Sequence, residues 1–219
     1  MRILALEFSS ERRSAAAQDP SGRAAEATES PNRKKDPFAL IQEALSAAGL
    51  APDQIDAVAV GLGPGSYTGI RAALAVAQGW SLARGAAIIP VSTVEALVRQ
   101  LADQGFEGRV RIVIDAQRRE FYAADFRIAG GKTETLAPLR LLSKAEAESR
   151  PSGTALAGPG ASRFFPGALD VYPLASTTAA LAAAQPRPAP PESLQPVYLR
   201  QTAFKKAPPP RRAGGGCSD

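Results

Sequence analysis

The sequence predicts an α/β protein with mixed sheets, and three observations carry that expectation. A strand-length apolar run, RILALEF (2–8), ends at an acid and is followed by two further strand-like stretches. A buried-type strand, DAVAVGL (56–62), passes through a glycine-rich turn into a helix-length segment. At VRIVIDA (110–116) the opening pattern restarts, with Asp115 ending the strand as Glu7 ends the first. Alternation of such units is the signature of sheets flanked by helices, and the restart suggests a weak internal duplication rather than a solenoid.

The elements follow in order. RRSAAAQ (12–18) and GRAAEATE (22–29) flank an Asp19-Pro20-Ser21-Gly22 turn and complete a three-stranded antiparallel meander. After the polar loop SPNRKK (30–35), Asp36 caps a helix with Pro37 at its first position, and Gly49 stops it after Ala48. The turn GPGSYTG (63–69) leads into a helix over 70–84 closed by Gly85. A strand over 86–91 and a helix over 92–103 come next, the latter with a capping box of Ser92 and Glu95. Beyond 110–116, the turn Gln117-Arg118-Arg119 leads to a strand over 120–128 and a Gly130-Gly131 turn. TALAG (154–158) reads as a strand, TTAALAAA (177–184) as a helix, and 185–196, with five prolines, as a linker.

Composition excludes more chemistry than it suggests. The 219 residues contain no histidine and one cysteine, Cys217. Ser-His and Cys-His catalysis, His-ligated metals and Cys-rich zinc or iron–sulfur sites therefore cannot be built from this chain alone. A lone cysteine and the absence of any apolar run of about 20 residues point to a soluble protein of the reducing cytoplasm. The net charge is +5, but residues 197–219 hold five basic residues against Asp219, leaving the body at only +1. A near-neutral body with 6% aromatics lacks the basic or aromatic face of a self-contained tRNA-binding module. The basic Pro/Gly-rich tail is of the kind that either touches RNA or stays solvated.

The glycine turn fails three motif tests. No lysine follows Gly69, which rejects a P-loop. Thr68 stands where a dinucleotide fingerprint needs glycine, and the first acid after the turn is Glu95. Pro64 replaces the first glycine of a nucleophile elbow around Ser66. What remains is a loop in which Gly63, Gly65 and Gly69 permit positive φ and close backbone approach, with Ser66 or Thr68 as a helix cap. Such a terminus either takes a phosphate or packs tightly against a neighbour.

Two helices carry apolar surface to spare. In the first, Phe38, Ile41 and Leu45 line one face, and Leu40, Ala44 and Ala47 another, so one stripe is left after the sheet is met. In the second, Ala72, Ala73, Ala75, Val76, Ala77, Gly79 and Ala83 are small nearly all round, which permits close helix approach. A patch of this kind predicts self-association of the isolated chain. Arg71, a cation in a first helical turn, is unfavourable to the helix dipole unless partnered, so an intersubunit carboxylate is expected. Tyr67 is either a staple on its own helix or a contact across an interface. Asp115 is either a turn cap or a phosphate-loop acid.

The ordered set LALEFSS, AVGLGPGSYTGIRAALAVAQGWSLA, VSTVEAL, VIDAQRREFY, ALAGPG and PVYLR resembles the TsaB family, also called YeaZ, over residues 2–200. That resemblance implies an actin-like, Hsp70-like two-lobed fold, with a lobe over 1–104 and a smaller, less regular one over 105–200; the basic Pro/Gly-rich stretch 201–219 lies beyond it and reads from its composition as a disordered tail. The resemblance also implies a non-catalytic partner of the homologous TsaD subunit, which works with the ATPase TsaE to transfer threonylcarbamoyl to N6 of adenosine 37 in ANN-decoding tRNAs. The acyl donor, threonylcarbamoyl-adenylate, comes from a separate synthase. Histidines bind the catalytic metal in TsaD-like relatives, so a chain without histidine fits the non-catalytic member.

On the same ground the partner interface falls on Phe38, Ile41, Leu45, Tyr67, Thr68, Arg71, Ala73, Ala77 and Trp80. Nucleotide or phosphate contacts would fall on Glu7, Ser9, Gly63, Gly65, Ser66 and Asp115. No tightly bound cofactor or metal is implied, ATP or ADP is admitted at the partner interface, tRNA is met only through the complex, and no membrane is involved. Two departures stand out. Glu7-Phe8-Ser9 replaces the family's usual Asp-Thr-Ser, and Asp36-Pro37 replaces a common His-Ser. The first weakens any phosphate or magnesium role for that loop, and with it the alternative of a small actin-fold kinase or ATPase. The older glycoprotease label of the family has no support in these residues.

Overall fold

The computed structural model describes residues 1–29 and 35–197; the tail over 201–219, the end of PVYLR and most of the 30–35 loop lie outside the described residues. The first half of the chain forms β1 (Ile3–Glu7), β2 (Ser14–Gln18), β3 (Ala24–Thr28), α1 (Pro37–Ala48), β4 (Ala57–Gly61), α2 (Tyr67–Arg84), β5 (Ala87–Val91) and α3 (Thr93–Asp103). The second half forms β6 (Gly108–Asp115), β7 (Glu120–Ala129), β8 (Lys132–Ser143), α4 (Lys144–Glu148), β9 (Thr154–Gly158), β10 (Leu169–Asp170) and α5 (Ala175–Ala184).

The duplication suggested by the sequence is explicit in the topology. The strand order is β3-β2-β1-β4-β5 in one sheet and β8-β7-β6-β9-β10 in the other. In each, three strands form an antiparallel meander and the first of them also pairs in parallel with the fourth. The helices correspond in position, but those of the second half are shorter: α4 has five residues, and a 3-10 turn (Ala161–Arg163) stands where α2 would be. The fold is an α/β, actin-like two-lobed arrangement.

Strand alternation sorts each sheet into two faces. Leu4, Leu6, Val58 and Val60 pack under α1 and α2, while Ile3, Ala5, Ala57 and Ala59 pack under α5. In the second sheet Val110, Ile112, Tyr122 and Ala124 pack under α3, and Val113 and Phe121 face α4 and Phe165. The closing helix of each half thus covers the sheet of the other half. A division at residue 104 places α3 with the first segment although its apolar side belongs to the second core. The Pro-rich stretch 185–196 is also more than a linker. Its Ala189 N–H donates to Ile88 O, the Pro191 carbonyl accepts from Gln78 Nε2, and Leu194 is buried in the first core.

Among the described residues the second lobe holds one ion pair with a buried arginine. Arg111, on β6, binds both carboxylate oxygens of Asp125 on β7, and its Nη1 donates to the carbonyls of Glu146, Ala147 and Ser149 at 3.0–3.1 Å. Burial opposes ionisation of Asp125, but the guanidiniums of Arg111 and Arg140 outweigh it and hold its carboxyl below the usual range. Arg111→Ala strips the pair and orphans the α4 carbonyls, so a loss of about 3–5 kcal/mol is expected in urea denaturation. Arg111→Lys, lacking the planar fork, is expected to recover less than half of that loss.

Candidate functional site

Two surface features use the residues singled out by the sequence: a groove across α1 and α2, and the cleft between the lobes. α1 begins as expected, Asp36 accepting from Phe38 N at 2.8 Å, and ends at Gly49 with φ 66°. Leu40, Ile41, Ala44 and Leu45 are all buried in the first core. The two stripes expected on this helix are therefore one, and Ile41 and Leu45 face inward. The side chain left over is Phe38, 64% exposed.

α2 is divided more sharply. Ile70, Ala73, Leu74 and Ala77, at spacings of three and four, are buried against the sheet. Ala73 and Ala77, expected at a partner interface, belong to the chain's own core, because the helix approaches β4 and β5 on that side. On the outer side Ala72, Ala75, Val76, Gly79, Trp80 and Ala83 join Pro37, Phe38 and Pro52 in an apolar groove of about 500 Å³. Trp80 lies in its wall, its Nε1–H donating to Pro52 O at 3.3 Å; Leu82, 91% exposed, lies outside the groove lining. Arg71 has a partner within its own helix, Nη1 donating to Tyr67 Oη at 2.7 Å with the guanidinium over the ring. Tyr67 and Thr68 are exposed at the helix start, between groove and cleft.

The cleft, of about 490 Å³, is lined by Ser9, Ser10 and Glu11 after β1, by Gly65 through Thr68 in the glycine turn, and by Asp115, Gln117 and Tyr122 from the second lobe. Four of the six residues named for phosphate contact line it: Ser9, Gly65, Ser66 and Asp115. Glu7 and Gly63 do not. Asp115 accepts from Gln117 N at 2.7 Å and so caps the β6–β7 turn, in which Gln117, Arg118 and Arg119 all have positive φ. Glu11 bridges the lobes, accepting from both Arg163 Nη atoms and from Tyr172 Oη, while Arg12 stacks 3.8 Å above the Tyr172 ring. Sequence reasoning missed these bridging residues, since nothing local in their patterns marks a contact spanning more than 150 positions.

The glycine turn packs tightly. Ser66 N donates to Ser9 O at 2.7 Å, and Ser66 caps α2 by accepting from Gly69 N at 3.3 Å. A side chain at Gly65 would overlap the Ser9 carbonyl and one at Gly69 the Phe8 carbonyl. Beneath this contact Glu7 is completely buried. Its carboxylate fills the space left by Gly61, accepts from Ser9 N at 3.0 Å and lies 3.3 Å from Thr93 Oγ1, which in turn accepts from Gly63 N. Burial raises its pKa above the ordinary carboxylate value against these hydrogen bonds. Glu7 is thus a buried strut of the fold. Among the described residues no group of three or more His, Cys, Asp or Glu is placed to hold a metal ion, and no helix is long and apolar enough to cross a membrane.

A two-lobed actin-like protein with an apolar groove on its second helix is the class these features define. Residues 35–188 match the family model TsaD, tRNA N6-adenosine threonylcarbamoyltransferase. The chain belongs to this family and, within it, to the TsaB (YeaZ) branch. It is 36% identical over 83 residues to the tRNA threonylcarbamoyladenosine biosynthesis protein TsaB of Haemophilus influenzae, covering 38% of this chain and 35% of that protein. It is 34% identical over 88 residues to TsaB of Escherichia coli, covering 40% and 38%. The aligned stretch thus spans little more than a third of the curated relatives it matches. YeaZ from Pseudomonas aeruginosa superposes with a TM-score of 0.74 at 27% identity, covering 90% of this chain and 99% of that one.

Two experiments check the interior of the site. Because the folded pKa of Glu7 is raised, its contribution is fully present below the unfolded value and is lost as pH rises through the folded one. Thermal unfolding followed from about pH 5 to about pH 8 is expected to show stability falling in the parent and a flatter profile in Glu7→Gln. Gly65→Ala is expected to cost about 2–4 kcal/mol in chemical denaturation. Gly79→Ala, where nothing lies within 4 Å of the new methyl, is expected to gain about 0.5–1 kcal/mol.

Proposed function

We propose that this chain is the non-catalytic subunit of a tRNA threonylcarbamoyladenosine-forming complex, engaging a TsaD-type catalytic subunit through the α1–α2 groove with a TsaE-type ATPase as third member. The observation that carries the reading is the division of α2. Its inner side is spent on the chain's own core, and its outer side leaves Ala75, Val76, Gly79 and Trp80 as apolar surface continuous with Phe38 of α1. A contiguous apolar patch rimmed by polar residues is how a partner surface differs from scattered exposed side chains. The membership of the chain in the TsaB branch supports the choice of partner and of pathway.

The same groove suits a second copy of this chain, so the homodimer of the isolated protein and the complex with TsaD compete for one surface. Tyr67 and Thr68, at the rim between groove and cleft, are the residues through which ATP or ADP at the joint would be felt. Transfer chemistry stays with the partner, and tRNA is met through the complex. The kinase and glycoprotease alternatives fare worse. Glu7 is withdrawn from the cleft, Ser66 is engaged as a helix cap, and the chain has no histidine to activate a nucleophile.

The test separates the two sides of α2. Ala75→Glu, on the exposed side, is expected to keep the parent's circular dichroism while weakening both self-association in sedimentation and capture of a TsaD homologue by about tenfold or more. Ala73→Glu, on the buried side, is expected not to fold. An Ala75→Glu protein that dimerises and binds the TsaD homologue as well as the parent would move the interface elsewhere.

A further inference from the structure

Both ends of the short loop after β1 lie where the chain crosses between the lobes. The chain leaves the first sheet at Ser92, between β5 and α3, and returns over 171–174, between Val171 in the second core and Ala175 in the first. The outward crossing is tied in the interior. Thr93 N donates to Gly63 O, Thr93 Oγ1 accepts from Gly63 N, and the Glu7 carboxyl lies 3.3 Å from that hydroxyl, with Glu7 and Thr93 both buried.

The return crossing is tied at the surface. Glu11 accepts from both Nη atoms of Arg163, in the 3-10 turn after β9, and from Tyr172 Oη in the crossing itself. Arg12 holds the same tyrosine through its ring, with the guanidinium 3.8 Å from the centroid. Just beyond, Ala175 N donates to Ser14 Oγ and to Glu26, so α5 starts fixed to the first sheet and any bending falls on 171–174.

Solvent acts differently on the two ties. The contact of Glu7 with Thr93 is closed to ions. Glu11 and Arg163 have side chains 46% and 62% exposed, and salt screens a pair of that kind. Such a contact biases an equilibrium between two arrangements without freezing it. Ser9 and Ser10 lie between the ties and, with Glu11, form the first-lobe wall of the cleft opposite Asp115, Gln117 and Tyr122. α3 and α5 touch each other but are packed in the cores of different lobes, an arrangement in which helices slide when two bodies rotate.

We propose that the lobes form a hinge with a fixed pin and a releasable latch: Glu7 and Thr93 hold the outward crossing, while Glu11, bound to Arg163 and Tyr172, keeps the cleft closed until the ion pair is lost. Low ionic strength favours the latched state, and screening shifts the population toward the open one. The latch resides in contacts between the lobes and stands or falls separately from the TsaD reading.

Amide residual dipolar couplings of the nitrogen-15-labelled full chain, aligned in an uncharged polyacrylamide gel at about 0.05 M and about 0.5 M salt, test the proposal. Lobes that move as one body fit a single alignment tensor, and lobes that hinge require two. The parent at low salt is expected to fit one. Glu11→Ala and Arg163→Ala are each expected to need two, with the lobes rotated by about 10° or more from the parent arrangement. Added salt is expected to move the parent in the same direction and to leave the two variants unchanged. Both residues are exposed, and an undisturbed fit within each lobe verifies that the variants are folded. Arg127→Ala, which removes an exposed pair with Glu134 inside the second lobe, is expected to keep the single tensor. One unchanged tensor in both latch variants, two tensors in the parent at low salt, a parent indifferent to salt, or the same change in Arg127→Ala would each overturn the latch.

Discussion

The contact on which the rest of the molecule depends is between backbones: the Phe8 and Ser9 carbonyls lie against Gly69 and Gly65, with no side chain between. It brings the start of α2 onto the end of β1 and sets the direction in which that helix leaves. Glu7 completes the arrangement from below, in space that only a glycine at position 61 leaves free. Ionising a carboxyl there means charging a buried group, so the fold favours the neutral acid and uses it as a hydrogen-bonding wedge between β1, the glycine turn and the start of α3.

From that anchoring point α2 acquires two sides with opposite work. Burial of Ile70 and Leu74 contributes on the order of 1.5–3 kcal/mol each to the first lobe. Small residues between them let the helix lie close to the sheet. The outer side presents equally small residues, and here smallness makes a groove rather than a core. One helix can therefore hold its own lobe together and still offer a partner an apolar surface, provided neither set of residues is asked to do both.

Much of this was legible. Caps at Asp36, Gly49, Ser66, Gly85 and Ser92 stand where turn and helix chemistry put them, because each satisfies local backbone groups. The restart at residue 110 foretold the repeated sheet order. What was not legible depended on tertiary direction. Alanine on every side of α2 carries no periodic signal, so Ala73 and Ala77 were expected outward and face inward, as do Ile41 and Leu45. β8 is an edge strand with mostly exposed or half-buried residues and an irregular register against β7, which removes the alternation that marks a strand. That Glu7 is enclosed, and that 185–197 packs along the first lobe, follow from what surrounds them and from nothing in their own segments.

The division of α2 into a core side and a partner side is tested most directly by oxidative footprinting of the side chains, alone and with a TsaD homologue. Phe38, Trp80 and Leu82 are exposed or half-exposed in the isolated chain, and Leu136 on the far sheet is an internal reference. Protection of Phe38 and Trp80 on complex formation, with Leu136 oxidised as before, is the expected result. Unchanged oxidation of Phe38 and Trp80 in a saturated complex would contradict the assignment of the groove as the partner surface.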